Sequence, residues 1–180
     1  MAQRKWVIDP VHSKIGFSVE HLAGLSDVEG QFNKYEGMVL SNSEDFSDLT
    51  IHFSMETHSI DTYNEQRDDH LRSVDFLDAD VYPLALFEST SYKQIEGRKY
   101  ELAGNLTLHG VTKPITMQVR HRGVAPDIFT GATRAGFRLS GTLNRKDFGI
   151  TWNRFLDTGG VLVGDEITII CQIELLEASA

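Results

Sequence analysis

Apolar and polar residues alternate with a period of two along most of the chain. Ile15, Phe17, Val19 and His21 alternate with Lys14, Gly16, Ser18 and Glu20, and Leu49, Ile51, Phe53 and Met55 alternate with Thr50, His52, Ser54 and Glu56. The same pattern returns at Tyr100, Leu102, Gly104, Leu106 and Leu108, at Ile115, Met117 and Val119, at Phe137, Leu139 and Gly141, and at Ile167, Ile169, Cys171, Ile173 and Leu175. Successive side chains of a strand point to opposite faces, so this pattern predicts strands with one buried and one wet face. Turn residues punctuate the runs at Gly24, Gly97, Gly110 to Pro114, Gly123 to Asp127 and Gly159-Gly160. Many short strands with no helices between them predict an all-β, antiparallel sheet that closes or folds on itself.

Two stretches break the alternation. Residues 63–73, Tyr-Asn-Glu-Gln-Arg-Asp-Asp-His-Leu-Arg-Ser, contain neither Gly nor Pro and predict a short polar helix capped by Thr62 or Asn64. Arg145 to Gly160 is irregular and rich in aromatic residues and Gly. No linker, repeat or low-complexity tract divides the chain, so residues 1–180 read as one domain. The inward positions mix Phe, Met, Gly and one His with the branched aliphatics. That mixture leaves both a hollow barrel and a solid-cored sandwich open.

Composition narrows the function classes. Of 180 residues, 41% are hydrophobic and 24% charged, with a formal net charge of −9. An acidic chain without a basic run repels nucleic acid and anionic membranes. The lone cysteine, Cys171, excludes an intrachain disulfide, and its inward parity reads as a small buried hydrophobe. No apolar stretch has the length of a signal peptide or a membrane span. As it stands the chain is expected to be soluble, cytoplasmic and not stably inserted in a membrane; removal of a leader would make it periplasmic.

Candidate chemistry is sparse. Arg67, Asp68, Asp69, His70 and Arg72 form the densest polar cluster. Adjacent helical residues diverge, so Asp68 and Arg72, four apart, read as a helix ion pair rather than an acid–base pair. The seven histidines are scattered without metal-site spacing, and no metal is expected. His21 shares the inward parity of Phe17 and Val19, and reads either as a satisfied core histidine or as a polar group at one end of a cavity. Glycine patterns for phosphate binding and the hydrolase nucleophile elbow are absent.

Longer motifs carry a family resemblance. They are Trp6 to Val19, Val28-Glu29-Gly30-Gln31-Phe32, Ser59 to Thr62 leading into Arg67-Asp68-Asp69-His70-Leu71-Arg72-Ser73-Val74-Asp75-Phe76, Tyr82-Pro83 with Phe87 to Thr90, Gly104 to Pro114, and Arg145 to Ile150. In this order the chain resembles the YceI-like family of lipid-binding proteins. The resemblance implies an extended eight-stranded antiparallel β-barrel, lipocalin-like, with a short helix near its mouth. It implies a soluble carrier or sequestering protein, and not an enzyme, for an amphiphilic isoprenoid lipid such as an isoprenoid quinone or a polyprenyl compound. No cofactor is implied beyond that lipid, and a homodimer is compatible with the relatives. The expected wall is Phe17, Val19, His21, Ile51, Phe53, Met55, Phe87, Leu106, Leu108, Met117, Phe137, Leu139 and Ile169. Candidates for meeting the polar head group are His12, His21, Arg67 and His70. An enzyme acting on such a lipid, and a barrel for fatty acids or their amides, are the alternatives.

Overall fold

A computed structural model describes residues 3–178. The strands are β1 (Arg4–Ile8), β2 (Lys14–His21), β3 (Ser26–Phe32), β4 (Tyr35–Ser41), β5 (Leu49–Glu56), β6 (Ile60–Asp61), β7 (Leu84–Glu96), β8 (Lys99–Leu108), β9 (Val111–Pro126), β10 (Thr133–Asn144) and β11 (Val163–Glu177). Among the described residues one α-helix, α1 (Glu65–Arg72), and two short 3-10 helices, Thr57–Ser59 and Arg145–Phe148, interrupt them. Antiparallel pairing runs β1–β4–β5–β7–β8–β9–β10–β11 and returns to β1 through Trp6 opposite Glu177. That ring is a closed barrel of eight strands. Closure leaves this ring without an edge to template aggregation.

Three of the eight positions are broken strands. β1 and β2 both pair with β11, β3 pairs with β2 while β4 pairs with β1, and β6 pairs with β3 while β5 pairs with β4. The first break, at Asp9 to Ser13, contains Pro10, which cannot donate to a ladder. The walls therefore follow the chain in simple up-and-down order, with every connection local.

β9 corrects one expected turn. It runs unbroken through Gly123 to Pro126, and the reversal comes afterwards, at 127–132. Gly123 instead sits at φ +133 beside a register shift against Gly136 and Phe137. Glycine here serves a bulge rather than a turn. The helix is close to expectation: Asn64 is its cap, its side chain accepting from the Arg67 N–H at 2.9 Å.

The face assignment follows the alternation. On β11, Ile167, Ile169, Cys171, Ile173 and Leu175 face inward, whereas Glu166, Ile170 and Gln172 are exposed. Among the described residues, no helix is long and apolar enough to cross a membrane.

Candidate functional site

The barrel is hollow. Inward side chains such as Ile51, Phe53, Leu106, Ile115, Leu139, Ile169 and Ile173 are only partly buried although they lie inside the wall. Their free surface faces an internal cavity of about 270 Å³. A single water needs on the order of 10–15 Å³ by that measure, so this is no packing defect. This settles the choice between a hollow and a solid interior.

Side chains pack at both ends of the barrel. At one end the loop after β4 folds inward and places Phe46, 1% exposed, against Trp6 at 4.9 Å, His121 at 5.1 Å and Phe137 at 5.4 Å between ring centroids. The Asp48 carboxylate ties this loop together by accepting from the Asn42 and Ser43 N–H groups and the Ser43 hydroxyl. The Ser43 hydroxyl, chiefly, pulls the Asp48 pKa down to about 2, against an opposing desolvation. At the other end α1 and the segment after it cover the barrel. Leu71, Phe76, Leu77 and Ile150 reach the cavity there.

The wall is shaped by two glycines. A Cβ on Gly30 would meet the Phe17 ring at 2.5 Å, and one on Gly104 the Phe87 ring at 2.3 Å. Each phenylalanine lies flat against its neighbouring strand because that strand has no side chain there.

Every expected wall residue except His21 lines this cavity. His21 ends β2, opposite Ser26 and Val163, and is not among the lining residues. Its parity is inward, but the pairing of β2 with β11 shifts register between Val163 and Ile167, just where His21 would join the wall. The other head-group candidates also lie outside the lining. The guanidinium of Arg67 donates to the Thr62 hydroxyl at 2.7 Å and to the Thr62 carbonyl at 2.6 Å. His70 pairs with Asp75 at 2.9 Å and packs edge-on against Phe76 and Trp152. His12 meets Asp9 at 2.8 Å on the outer side. The expected Asp68–Arg72 pair is not formed. Asp68 turns inward and accepts from the Thr62 N–H at 2.9 Å, while Arg72 pairs with Asp69 and donates to the carbonyls of His58 and Ile60. The buried Thr62 needed a partner more than an exposed cation did.

Asp9, His12 and Glu174 bring one ligand atom each within 4.8 Å of one another. Arg134 already occupies this group, donating to Asp9 and Glu174 at 2.6 Å each and to Asp127 at 2.7 Å. Burial raises the Asp9 pKa, but hydrogen bonds from His12, Arg134 and the Val11 N–H outweigh it and hold the carboxyl below its ordinary value. The hydrogen bond to Asp9 raises His12. These groups form a clamp between the β1–β2 break and β10–β11.

Several lining residues escape the alternation. Phe76, Leu77 and Ile150 come from irregular segments. Arg145, 3% exposed, borders the cavity but spends its guanidinium on the carbonyls of Gly164, Ile150 and Trp152. Burial lowers its pKa and Asp165 opposes the shift. Tyr92 is hidden by a bulge. Pairing shifts between Ser89 and Ser91 opposite Gly104 and Ala103, which reverses the parity of β7 after Phe87. Cys171 lines the wall as a thiol, which burial pushes up to about 11.

The match to the YceI-like domain model spans residues 6–175. The chain belongs to the YceI-like family. Protein YceI of Salmonella arizonae is 39% identical over 163 residues, covering 91% of this chain and 81% of the relative. The UPF0312 protein SA2479 of Staphylococcus aureus is 34% identical over 169 residues, covering 94% and 95%. Among solved structures, Burkholderia cenocepacia BcnA superposes with a TM-score of 0.79 at 22% identity, covering 93% of this chain and 98% of that one. A polyisoprenoid binding domain from Saccharophagus degradans superposes at 0.70 with 12% identity, covering 96% and 98%. At those identities the two structures speak for the YceI-like fold.

Proposed function

We propose that this YceI-like barrel binds a long-chain isoprenoid lipid, an isoprenoid quinone or a polyprenyl compound, and carries or sequesters it without chemical change. The observation that carries this reading is the cavity inside the barrel, whose wall is aliphatic, aromatic and sulfur-bearing apart from Tyr92 and Arg145. Such a wall offers nothing to a polar metabolite and suits a hydrocarbon chain. Each methylene-sized group transferred from water gains about 0.8 kcal/mol. A few isoprene units offset the cost of ordering the ligand. The polyisoprenoid binding domain that shares the fold adds support from a distant relative.

Binding is favoured over catalysis by where the candidate acid–base and head-group residues His12, Arg67 and His70 lie. His12 and Arg67 are engaged outside the cavity, and His70 is held by Asp75 behind Phe76. A general base must come within hydrogen-bond reach of the proton it abstracts, and none of these side chains lines the wall.

Purified protein never exposed to detergent is expected to yield a stoichiometric isoprenoid on organic extraction, and native mass spectrometry is expected to show the matching adduct. Protein from several hosts that carries no lipid, and takes up no C20 or longer isoprenoid from solution, would sink the proposal.

A further inference from the structure

Among the described residues, the buried side-chain polar atoms without a hydrogen-bond partner are Trp6 Nε1, Tyr92 Oη, His121 Nε2 and Asp165 Oδ1. The last lies 3.7 Å from the Arg145 guanidinium. The other three gather toward the Phe46 end. Trp6 and His121 both pack on Phe46, and Tyr92 stacks at 4.8 Å on Tyr100, which shares one apolar cluster with Trp6, Phe46 and Phe137. Of the three residues only Tyr92 also lines the cavity.

A buried hydroxyl without a partner costs stability that phenylalanine would not lose. β7 accepts phenylalanine on the same wall at Phe87, so the position does not exclude one. The strand also carries a bulge that turns Tyr92, and not Ser91, into register with the inward Leu102. Bulges commonly serve to re-aim a side chain at a site. An unsatisfied donor and a strand irregularity thus converge on one residue of the cavity.

We propose that the Tyr92 hydroxyl is the anchor for the polar end of the ligand, donating to an uncharged oxygen such as the carbonyl of a ketone, quinone or ester. The lipid then lies with its oxygen-bearing head toward the Phe46 end and its tail toward the helix end. This rests on the lipid-binding reading and narrows it to neutral lipids. A phosphorylated head in the same place would be a buried charge with no cation from the cavity lining beside it, since Arg145, the one cation of that lining among the described residues, has committed its donors to main-chain carbonyls at the opposite end. Burial, with Tyr100 adding to it, raises the Tyr92 pKa, so the phenol keeps the proton that the bond requires.

The test measures three probes on the full chain after delipidation: geranylgeranylacetone, a saturated hydrocarbon of equal length, and geranylgeranyl diphosphate. The wild type is expected to bind the ketone at least about tenfold more tightly than the diphosphate. Tyr92→Phe should weaken ketone binding about fivefold, the worth of one net hydrogen bond, and leave hydrocarbon binding unchanged. The carbonyl stretch of bound geranylgeranylacetone should lie lower in the wild type than in Tyr92→Phe. Unchanged ketone affinity and an unshifted carbonyl band in the variant would overturn the anchor while leaving the lipid-binding reading intact. Diphosphate binding equal to or tighter than ketone binding would overturn the neutral-head assignment. Failure of all three probes to bind the wild type would overturn both readings together.

Discussion

Arg134 is the residue on which the barrel's seam depends. It joins Asp9, at the β1–β2 break, to Glu174 on β11 and to Asp127 in the turn before β10. The alternating pattern gave no hint of it, because an outward strand position looks the same in sequence whether its charge is paired or free. His12 was legible only as part of the opening family motif, and the structure places it in this clamp instead of at a head group. The pair it forms with Asp9 has a defined pH window. His12 is raised above its ordinary 6.5, so its contribution is complete below that value and is lost as pH rises through the folded pKa. Asp9 is lowered from 3.8, so its contribution is complete above that value and is lost as pH falls through the folded pKa. The stability difference between wild type and His12→Ala, read from urea unfolding, is expected to shrink between about pH 6 and about pH 8.5. An equal difference at both pH values would show that His12 stabilises by packing and not by charge.

At the scale of elements, the irregular pieces carry the information that periodicity lacks. The helix was legible from its missing alternation and its cap, but what it does was not. Its underside is fixed by Asp68, 5% exposed, which satisfies the Thr62 main chain where β6 ends. That contact holds α1 over the barrel so that Leu71 and the following Phe76 and Leu77 meet the cavity. A polar helix with a single inward carboxylate reads from sequence as an ion-pair surface, since nothing local reveals that Thr62 is buried. Asp68→Ala leaves that N–H unpaired and is expected to cost about 2 kcal/mol. It should also speed amide exchange across residues 65–77. Asp69→Ala removes an exposed partner of Arg72 and should change stability by less than about 0.5 kcal/mol. Equal effects of the two substitutions in chemical denaturation would contradict the assigned roles. The bulge in β7 is a second such piece. Counting alternate positions from Phe87 leads to Ser89 and Ser91, and only three-dimensional pairing exposes Tyr92.

For the whole molecule, an all-β antiparallel sheet that closes or folds on itself was legible because period two states which side chains share a face, and the number of eight strands was carried by the family resemblance. The period does not state what stands opposite that face. A hollow barrel and a solid core write the same alternation, and the difference lies in whether side chains from opposite walls meet across the centre. Here a space of about 270 Å³ is left between them. An apolar void of this kind withholds dispersion and burial energy that a packed interior would gain. The ligand-free barrel is therefore less stable than its strand pairing allows, and occupation should stabilise it in proportion to ligand concentration over Kd. Filling the void from within should imitate the ligand. Leu139→Trp places a larger apolar side chain on a cavity-lining position of β10. In a packed core that change would cost about 1–3 kcal/mol. In this barrel it is expected to raise the stability of delipidated protein by about 1 kcal/mol, to abolish isoprenoid uptake, and to remove the rise in Tm that lipid gives the wild type. A destabilised variant that still binds lipid would mean that the ligand lies elsewhere and that the central space does not hold it.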